Sequence, residues 1–179
     1  NHNGNGIYSQ DLGTSDLRNF YVNTSDAQDV TLMVYMVGSD LESYNGCATD
    51  DLSEMADAKT GDNLNIIIKT GGTQYWNNTL MSDEKAEIWH LADGEFELIK
   101  NCGTENMLTA DSLSDFIGYC KNSYPADRYI LIFWDHGGGS VSGYGYDEKY
   151  ASSGSMDLAE IDKALSDGGV KFDFVGFDA

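Results

Sequence analysis

Four long apolar segments alternate with amphipathic segments along the chain. The apolar segments lie at 31–40, 64–72, 128–139 and 170–179. Continuous apolar runs of this kind are typical of parallel strands that helices cover on both faces. The amphipathic segments, in which apolar residues recur at helical spacing, lie at 49–59, 108–120 and 158–165. This alternation of strands and helices predicts an α/β protein.

One segment departs from this rhythm. Residues 84–100 alternate polar and apolar side chains around Asp93-Gly94, a dipeptide favoured in tight hairpin turns. We therefore expect an antiparallel hairpin at one edge of the sheet, and predict a three-layer α/β/α sandwich with a mostly parallel sheet. Residues 1–28 are polar and weakly patterned, which predicts an N-terminal arm or linker leading into a domain over 29–179.

Length, net charge and the lengths of the apolar runs exclude several classes of function. The 179 residues suffice for one ordinary domain, and 30 acidic against 10 basic residues give a net charge of −20. Such an excess of acid argues against nucleic-acid binding, which needs a basic surface, and favours basic peptides or divalent cations as partners. No apolar run is long enough for a transmembrane helix, so no transmembrane segment is expected.

The third apolar segment ends in the strongest candidate for chemistry. His136 follows an apolar run and precedes three glycines, at the strand end where α/β proteins gather their active sites. The glycines let backbone N–H groups approach a reacting atom, as an oxyanion hole requires. The alternative interpretation is that His136 is a structural residue whose ring makes hydrogen bonds to nearby groups. We interpret Asp135 as structural, able to orient the site, and His2 and His90 as structural or exposed.

The sequence offers no well-placed serine or cysteine nucleophile to act with His136. The segment around Ser140 lacks the GxSxG elbow that a serine hydrolase with an HGGG segment would need. Cys47 and Cys102 are predicted to lie in loops, and Cys120 on the apolar face of a helix. The odd number of cysteines leaves at least one thiol unpaired.

Two motifs together resemble a known family. A strand ending Trp134-Asp135-His136-Gly137-Gly138, followed later by a strand ending Val175-Gly176-Phe177-Asp178-Ala179, resembles the clostripain family of cysteine peptidases (C11) in the caspase-like clan CD. The opening strand TLMVYMVGSDLE and the segment DDLSEMADA are also similar to the start of that family. The resemblance covers roughly residues 30–179. In that family the second strand ends Phe-Asp-Ala-Cys, and its cysteine is the nucleophile.

The resemblance implies a cysteine endopeptidase that cleaves after Arg or Lys. His136 would be the catalytic base and acid, Gly137 would offer its N–H to the oxyanion, and Asp178 would be a buried carboxylate at the base of the pocket for the basic side chain. The nucleophilic cysteine is expected directly after Ala179, on a C-terminal segment or heavy chain of the same precursor. This chain would then be the N-terminal portion of a caspase-like peptidase domain.

The resemblance also suggests activation by cleavage. Lys149 is the sole lysine or arginine between residues 129 and 162, in a stretch that looks exposed, so Lys149–Tyr150 is the expected processing bond in the 144–155 loop. The alternative is an ordinary surface lysine. Calcium is implied by the family, although no EF-hand spacing is present and the sequence itself requires no cofactor. The family further implies a secreted or cell-surface bacterial protein.

Two other functions stay open on sequence grounds. The first is a non-catalytic caspase-like domain that binds basic peptides or a partner protein. The second is a flavodoxin- or receiver-like binding module, which the acidic strand ends permit but which leaves the histidine and its glycines without a role.

Overall fold

A computed structural model describes residues 28–179, and a six-stranded sheet forms its centre. The strands are β1 (Gln28–Val37), β2 (Leu64–Gly71), β3 (Ala86–Ala92), β4 (Glu95–Gly103), β5 (Ala126–Trp134) and β6 (Phe174–Asp178). Their order across the sheet is β4-β3-β2-β1-β5-β6, with β2, β1, β5 and β6 parallel and the hairpin β3–β4 antiparallel. The predicted parallel sheet with an edge hairpin is confirmed.

Helices connect the strands. They are α1 (Ser39–Asn45), α2 (Cys47–Asp57), α3 (Ala110–Ser123), α4 (Gly139–Ser142), α5 (Leu158–Gly168) and a 3-10 helix at Glu148–Ser153. Helix α1 was not predicted, because its residues continue directly from the apolar run of β1. Gly46 separates α1 from α2 by adopting a left-handed conformation, with φ of 71°, which glycine reaches without steric cost. The arm predicted for 1–28 lies outside the described residues, except for Gln28, which begins β1.

Two hydrophobic cores flank the sheet. Because successive strand residues point to opposite faces, Met33 and Tyr35 of β1 pack on the side of α3 and α5. Val34 and Met36 pack on the other side, with Leu52 of α2. The sheet is therefore covered on both faces, as the α/β/α prediction required.

Helices α3 and α5 begin at polar residues whose side chains cap the free N–H groups of the first helical turn. The Thr109 side chain accepts a hydrogen bond from the backbone N–H of Ser112 at the start of α3. Asp157 and Glu160 form a reciprocal capping box at the start of α5. The Thr109 cap lies in the connection between β4 and β5, and the Asp157 cap lies in the connection between β5 and β6, which also carries the glycine-rich segment.

Strand β6 is shorter and more exposed than the sequence predicted. It was expected over 170–179 as a buried strand, but it spans five residues at the edge of the sheet. The aromatic ring of Phe177 stacks on Phe133 at a centroid distance of 4.8 Å, yet Phe177 and Phe174 stay 54% and 56% exposed. No described element pairs with the outer edge of β6, so its side chains receive cover from one neighbour only.

Candidate active site

The carboxyl ends of the four parallel strands meet at one edge of the sheet. The register pairs Val37 with Gly71, Met36 with Trp134, and Trp134 with Asp178. Beyond the strand, the Asp135 N–H still donates to the Asp178 carbonyl at 3.3 Å. The segments that begin at Gly38, Gly72, Asp135 and Asp178 therefore lie side by side, as expected for a parallel sheet.

His136 is fixed through its backbone while its ring faces outward. Its N–H donates to Asp135 Oδ1 at 2.7 Å, and its carbonyl accepts from the Gly145 N–H at 2.9 Å. The ring atom Nε2 lies 2.6 Å from Asp40 Oδ1. The two side chains are 46% and 38% exposed, so the pair is open to solvent. The histidine thus has a fixed position and an accessible ring.

Asp135 organises the loop from the interior. It is 1% exposed, and its Oδ2 accepts a second backbone hydrogen bond, from the Tyr146 N–H at 2.5 Å. Burial raises the pKa of Asp135 from 3.8 to about 6, although hydrogen bonds from Tyr146, Ser39 and His136 favour the charged form. The carboxylate joins the His136 backbone to the return segment at 144–147, which is the structural role expected for it.

The glycines after His136 allow the chain to turn back on itself. The Gly138 N–H donates to the Gly143 carbonyl at 2.7 Å, and Gly143 has φ of 80°. A Cβ built on Gly143 would lie 2.1 Å from the Met156 carbonyl oxygen, so a side chain there would disrupt the turn. A Cβ on Gly137 would lie 2.9 Å from the Cβ of Ala179, which brings Gly137 against the end of β6.

An apolar cavity of about 320 Å³ adjoins this turn. Its lining includes Gly137, Tyr144, Leu158, Ile161 and Phe177. The N–H of Gly137 donates no hydrogen bond within residues 28–179. A backbone N–H that has no partner and belongs to a residue lining an open cavity is what an oxyanion site requires.

Asp178 lies on the other side of β6 and is exposed, which corrects the expectation of a buried carboxylate. It lines a groove of about 400 Å³ together with Asp51 and Glu54 of α2 and with Trp134. The Trp134 indole donates to Asp51 Oδ2 at 2.6 Å and forms one wall of the groove. The groove is open because β6 is the outermost strand of the described sheet.

Lys149 is half-buried in the 3-10 helix, whereas residues 151–155 are exposed, so the expected exposed stretch is present only after the lysine. Desolvation lowers the pKa of Lys149. The preceding carboxylates attach this segment to the core: Asp147 is 2% exposed and accepts two backbone N–H groups, and Glu148 accepts from the Gln74 N–H at 2.8 Å. Tyr150 follows at a kink in the same helix.

The three cysteines lie in regular structure and are unpaired. Cys47 begins α2 and Cys102 lies in β4, so the prediction that both lie in loops was wrong. Cys120 is fully buried on the apolar face of α3, as predicted, and burial raises the pKa of its thiol. None of the three is hydrogen-bonded to His136.

The acids near the strand ends that could offer oxygen ligands to calcium, Asp40, Glu42, Asp50 and Asp51, do not form a calcium site within the described residues. No three His, Cys, Asp or Glu residues within the described range gather as metal ligands. Both carboxylate oxygens of Glu42 accept internal hydrogen bonds, from Thr49 and from the Asn77 N–H. Asp40 Oδ1 is hydrogen-bonded to His136 Nε2, and Asp51 Oδ2 accepts from the Trp134 indole, so one oxygen of each carboxylate is already engaged.

Comparison with known proteins agrees with the geometry. Residues 34–179 match the sequence profile of the clostripain family, peptidase family C11. The chain belongs to the clostripain family. It is 31% identical over 135 residues to clostripain from Hathewaya histolytica, a match that covers 66% of this chain and 25% of that protein.

Solved structures share the fold. A secreted C11 cysteine protease from Bacteroides thetaiotaomicron, in complex with an irreversible peptide inhibitor, matches 85% of this chain with a TM-score of 0.66 and 21% identity. An inactive zymogen C11 protease from Parabacteroides distasonis matches 86% with a TM-score of 0.62 and 24% identity. The predicted caspase-like sandwich is thereby confirmed.

This chain covers 42% of each of these two structures and a quarter of the length of clostripain. Within residues 28–179, no helix combines the length and apolar character needed to cross a membrane.

Sequence reasoning missed the contact between Asp40 and His136. The available signal was the position of both residues just beyond the ends of adjacent parallel strands, β1 and β5. The strand order makes the two residues neighbours, but the hydrogen bond between them depends on how α1 begins.

Proposed function

We propose that the protein is a cysteine endopeptidase that cleaves after basic residues, with His136 as the catalytic base and acid. One observation carries this proposal: His136 stands at the strand end beside the terminus of β6. If the register that pairs Trp134 with Asp178 continued for two more residues, the position after Ala179 would lie opposite His136. The family resemblance expects the nucleophilic cysteine at that position.

The chemistry follows from these neighbours. His136 removes the proton from the thiol, and the thiolate attacks the peptide carbonyl carbon. The free N–H of Gly137 donates to the oxygen as it becomes negative. The tetrahedral intermediate collapses, the C–N bond breaks, and His136 donates its proton to the leaving amine. Water, deprotonated by the same imidazole, then hydrolyses the thioester and regenerates the thiol.

Asp178 is the proposed determinant of basic specificity. It lies in a groove with two further carboxylates, Asp51 and Glu54, beside the wall formed by Trp134. A guanidinium or ammonium group entering that groove would gain charge-assisted hydrogen bonds with a carboxylate. The net charge of −20 would also raise the encounter rate with basic peptides.

Activation is proposed to proceed by cleavage of the Lys149–Tyr150 bond. Lys149 is half-buried in a 3-10 helix, so this segment must open locally before any protease can take it as an extended substrate. Residues 29–149 would then form the N-terminal chain, and residues 150–179 would stay joined to the C-terminal segment or heavy chain, the two parts remaining associated as one peptidase domain. The exposed rings of Phe174 and Phe177 on β6 offer that segment an apolar contact.

Secretion, or a cell-surface location, is proposed on the same family resemblance. The match to a secreted C11 protease of Bacteroides thetaiotaomicron supports it.

The decisive experiment uses the full-length protein and fluorogenic peptides that end in Arg, Lys or a neutral residue. We expect hydrolysis after Arg or Lys, loss of activity on thiol alkylation, and at least a 10²-fold loss in His136→Ala, since general acid–base catalysis contributes roughly 10²–10⁴-fold. His90→Ala is the matched control, because His90 packs on Tyr124 in the hairpin region, with ring centroids 5.1 Å apart. Equal activity of His136→Ala and wild type would overturn the proposal.

The acidic groove favours one alternative, a non-catalytic caspase-like domain that binds basic peptides. The same protein would then bind an Arg- or Lys-containing peptide without turning it over. The residue encoded after Ala179 discriminates further, because a cysteine is required for the peptidase and not for the binder.

A further inference from the structure

The contact between Asp40 and His136 is built by the turn that follows β1. The chain leaves β1 at Val37 and enters α1 at Ser39. Ser39 is fully buried and has φ of 49°, a left-handed conformation that non-glycine residues adopt rarely. A turn that holds a buried serine in this conformation fixes the direction in which the next side chain leaves the backbone. That next side chain is Asp40, and it ends 2.6 Å from His136 Nε2.

We propose that Asp40 is a positioning residue that holds His136 in the Nε2–H tautomer and leaves Nδ1 to exchange the proton with the nucleophile. That the nucleophile is a thiol rests on the proposed function, whereas the tautomer of His136 does not. Nδ1 is then the reacting nitrogen of His136, and Asp40 is a second carboxylate of the site.

The tautomer follows from the hydrogen-bonding capacity of the two groups. A neutral imidazole carries one N–H and one lone pair, and an ionised carboxylate only accepts. The short contact therefore requires the proton on Nε2, and the lone pair is then on Nδ1. Once Nδ1 has taken a proton, the ring is a cation beside a carboxylate, which favours this charged intermediate of the reaction.

Asp40 and Asp135 act on different parts of His136. The two oxygens of Asp135 accept backbone N–H groups, from His136 and Tyr146, and its carboxylate is not bonded to the ring. Within residues 28–179, the ring hydrogen-bonds to Asp40 alone. Asp135 thus fixes where the residue stands, and Asp40 fixes the orientation and proton placement of its ring.

The expected loss of activity is intermediate. Replacing the buried aspartate of a serine-protease triad by asparagine lowers kcat by about 10⁴-fold, through the wrong histidine tautomer. Asp40 and His136 are 38% and 46% exposed, so water replaces part of the lost interaction. We expect Asp40→Asn to lower kcat by about 10- to 100-fold while KM changes less than about two-fold, since only the proton-transfer steps are affected.

The test compares Asp40→Asn with Asp62→Asn in the full-length protein. Asp62 is an exposed carboxylate before β2, at the opposite edge of the sheet, so its replacement removes the same charge far from His136. Urea unfolding of both variants separates a loss of stability from a loss of kcat. A kcat of Asp40→Asn equal to that of Asp62→Asn would overturn the positioning role.

Nitrogen-15 spectra of histidine-labelled protein test the tautomer without any assay of activity. The His136 signals are assigned by their disappearance in His136→Gln. We expect protonated Nε2 and unprotonated Nδ1 in the wild type, and a mixture of both tautomers in Asp40→Asn. Protonated Nδ1 in the wild type would overturn the inference. An inactive wild type that nevertheless shows the Nε2–H tautomer, dependent on Asp40, would support the pairing and count against the peptidase.

Discussion

The buried carboxyl of Asp135 makes the stability of the protein depend on pH in a defined direction. Its pKa in the folded state is about 6, above the ordinary value of 3.8, because burial disfavours the charged form. The folded protein therefore holds this proton more tightly than the unfolded chain does. The contribution of Asp135 to stability is largest below pH 3.8 and is lost as the pH rises from 3.8 to 6.

The magnitude follows from the two values. A difference of 6 − 3.8, or about 2.2 pH units, corresponds to roughly 3 kcal/mol over the full range. Between pH 7.5 and 4.5 the part gained on acidification is about 2 kcal/mol, because the proton is then mostly bound in the folded state and mostly absent in the unfolded state. Asp135 is 1% exposed, so solvent screening reduces this figure little.

The assay is urea unfolding of wild-type protein and of Asp135→Asn at several pH values between 4.5 and 7.5. Asparagine has the same shape and does not titrate, and the other carboxylates are common to both proteins, so the difference in unfolding free energy isolates Asp135. We expect wild type to gain about 2 kcal/mol relative to the variant on going from pH 7.5 to 4.5. A constant difference, or one that changes in the opposite direction, would refute the reasoning.

Two further predictions concern specificity and activation. Asp178→Asn should lower kcat/KM for Arg and Lys reporters by roughly 10- to 150-fold, the loss of about 1.5–3 kcal/mol from a hydrogen bond to a charged group, and leave neutral reporters unchanged; an equal loss for all reporters contradicts the specificity role. Lys149→Gln should leave the chain uncut at that bond in mass spectra of the purified protein, and Lys149→Arg should restore the cut. Cleavage at the same bond in Lys149→Gln would contradict self-processing by a protease specific for basic residues.

The sheet was predictable from the sequence because a single physical signal dominates it. Parallel strands buried on both faces read as continuous apolar runs, and the hairpin reads as alternation around Asp93-Gly94. Helix α1 was not predictable in this way. It is seven residues long, and it begins in a left-handed turn at Ser39 that no residue pattern specifies.

The environment of Lys149 shows a second kind of limit. Its neighbours are rich in Gly, Ser, Tyr and acids, a composition that indicates an exposed loop. The structure buries the preceding Asp147, because the N–H of Met107, 40 residues away in the chain, satisfies one carboxylate oxygen and the N–H of Lys149 satisfies the other. Such long-range partners become visible only once the strands have been assembled.

In the candidate site, one feature of His136 is predictable from local sequence pattern and another depends on long-range contacts. The location of His136 follows from local pattern, since a strand end followed by glycines lies at the active edge of a parallel sheet. Its orientation depends on two carboxylates that reach it from different strand ends, Asp135 after β5 and Asp40 after β1. One of them binds the backbone and the other binds the ring, so the position and the proton placement of the imidazole are set by separate groups. Removing Asp40 should therefore affect proton transfer without moving the residue, whereas removing Asp135 should loosen the loop as a whole.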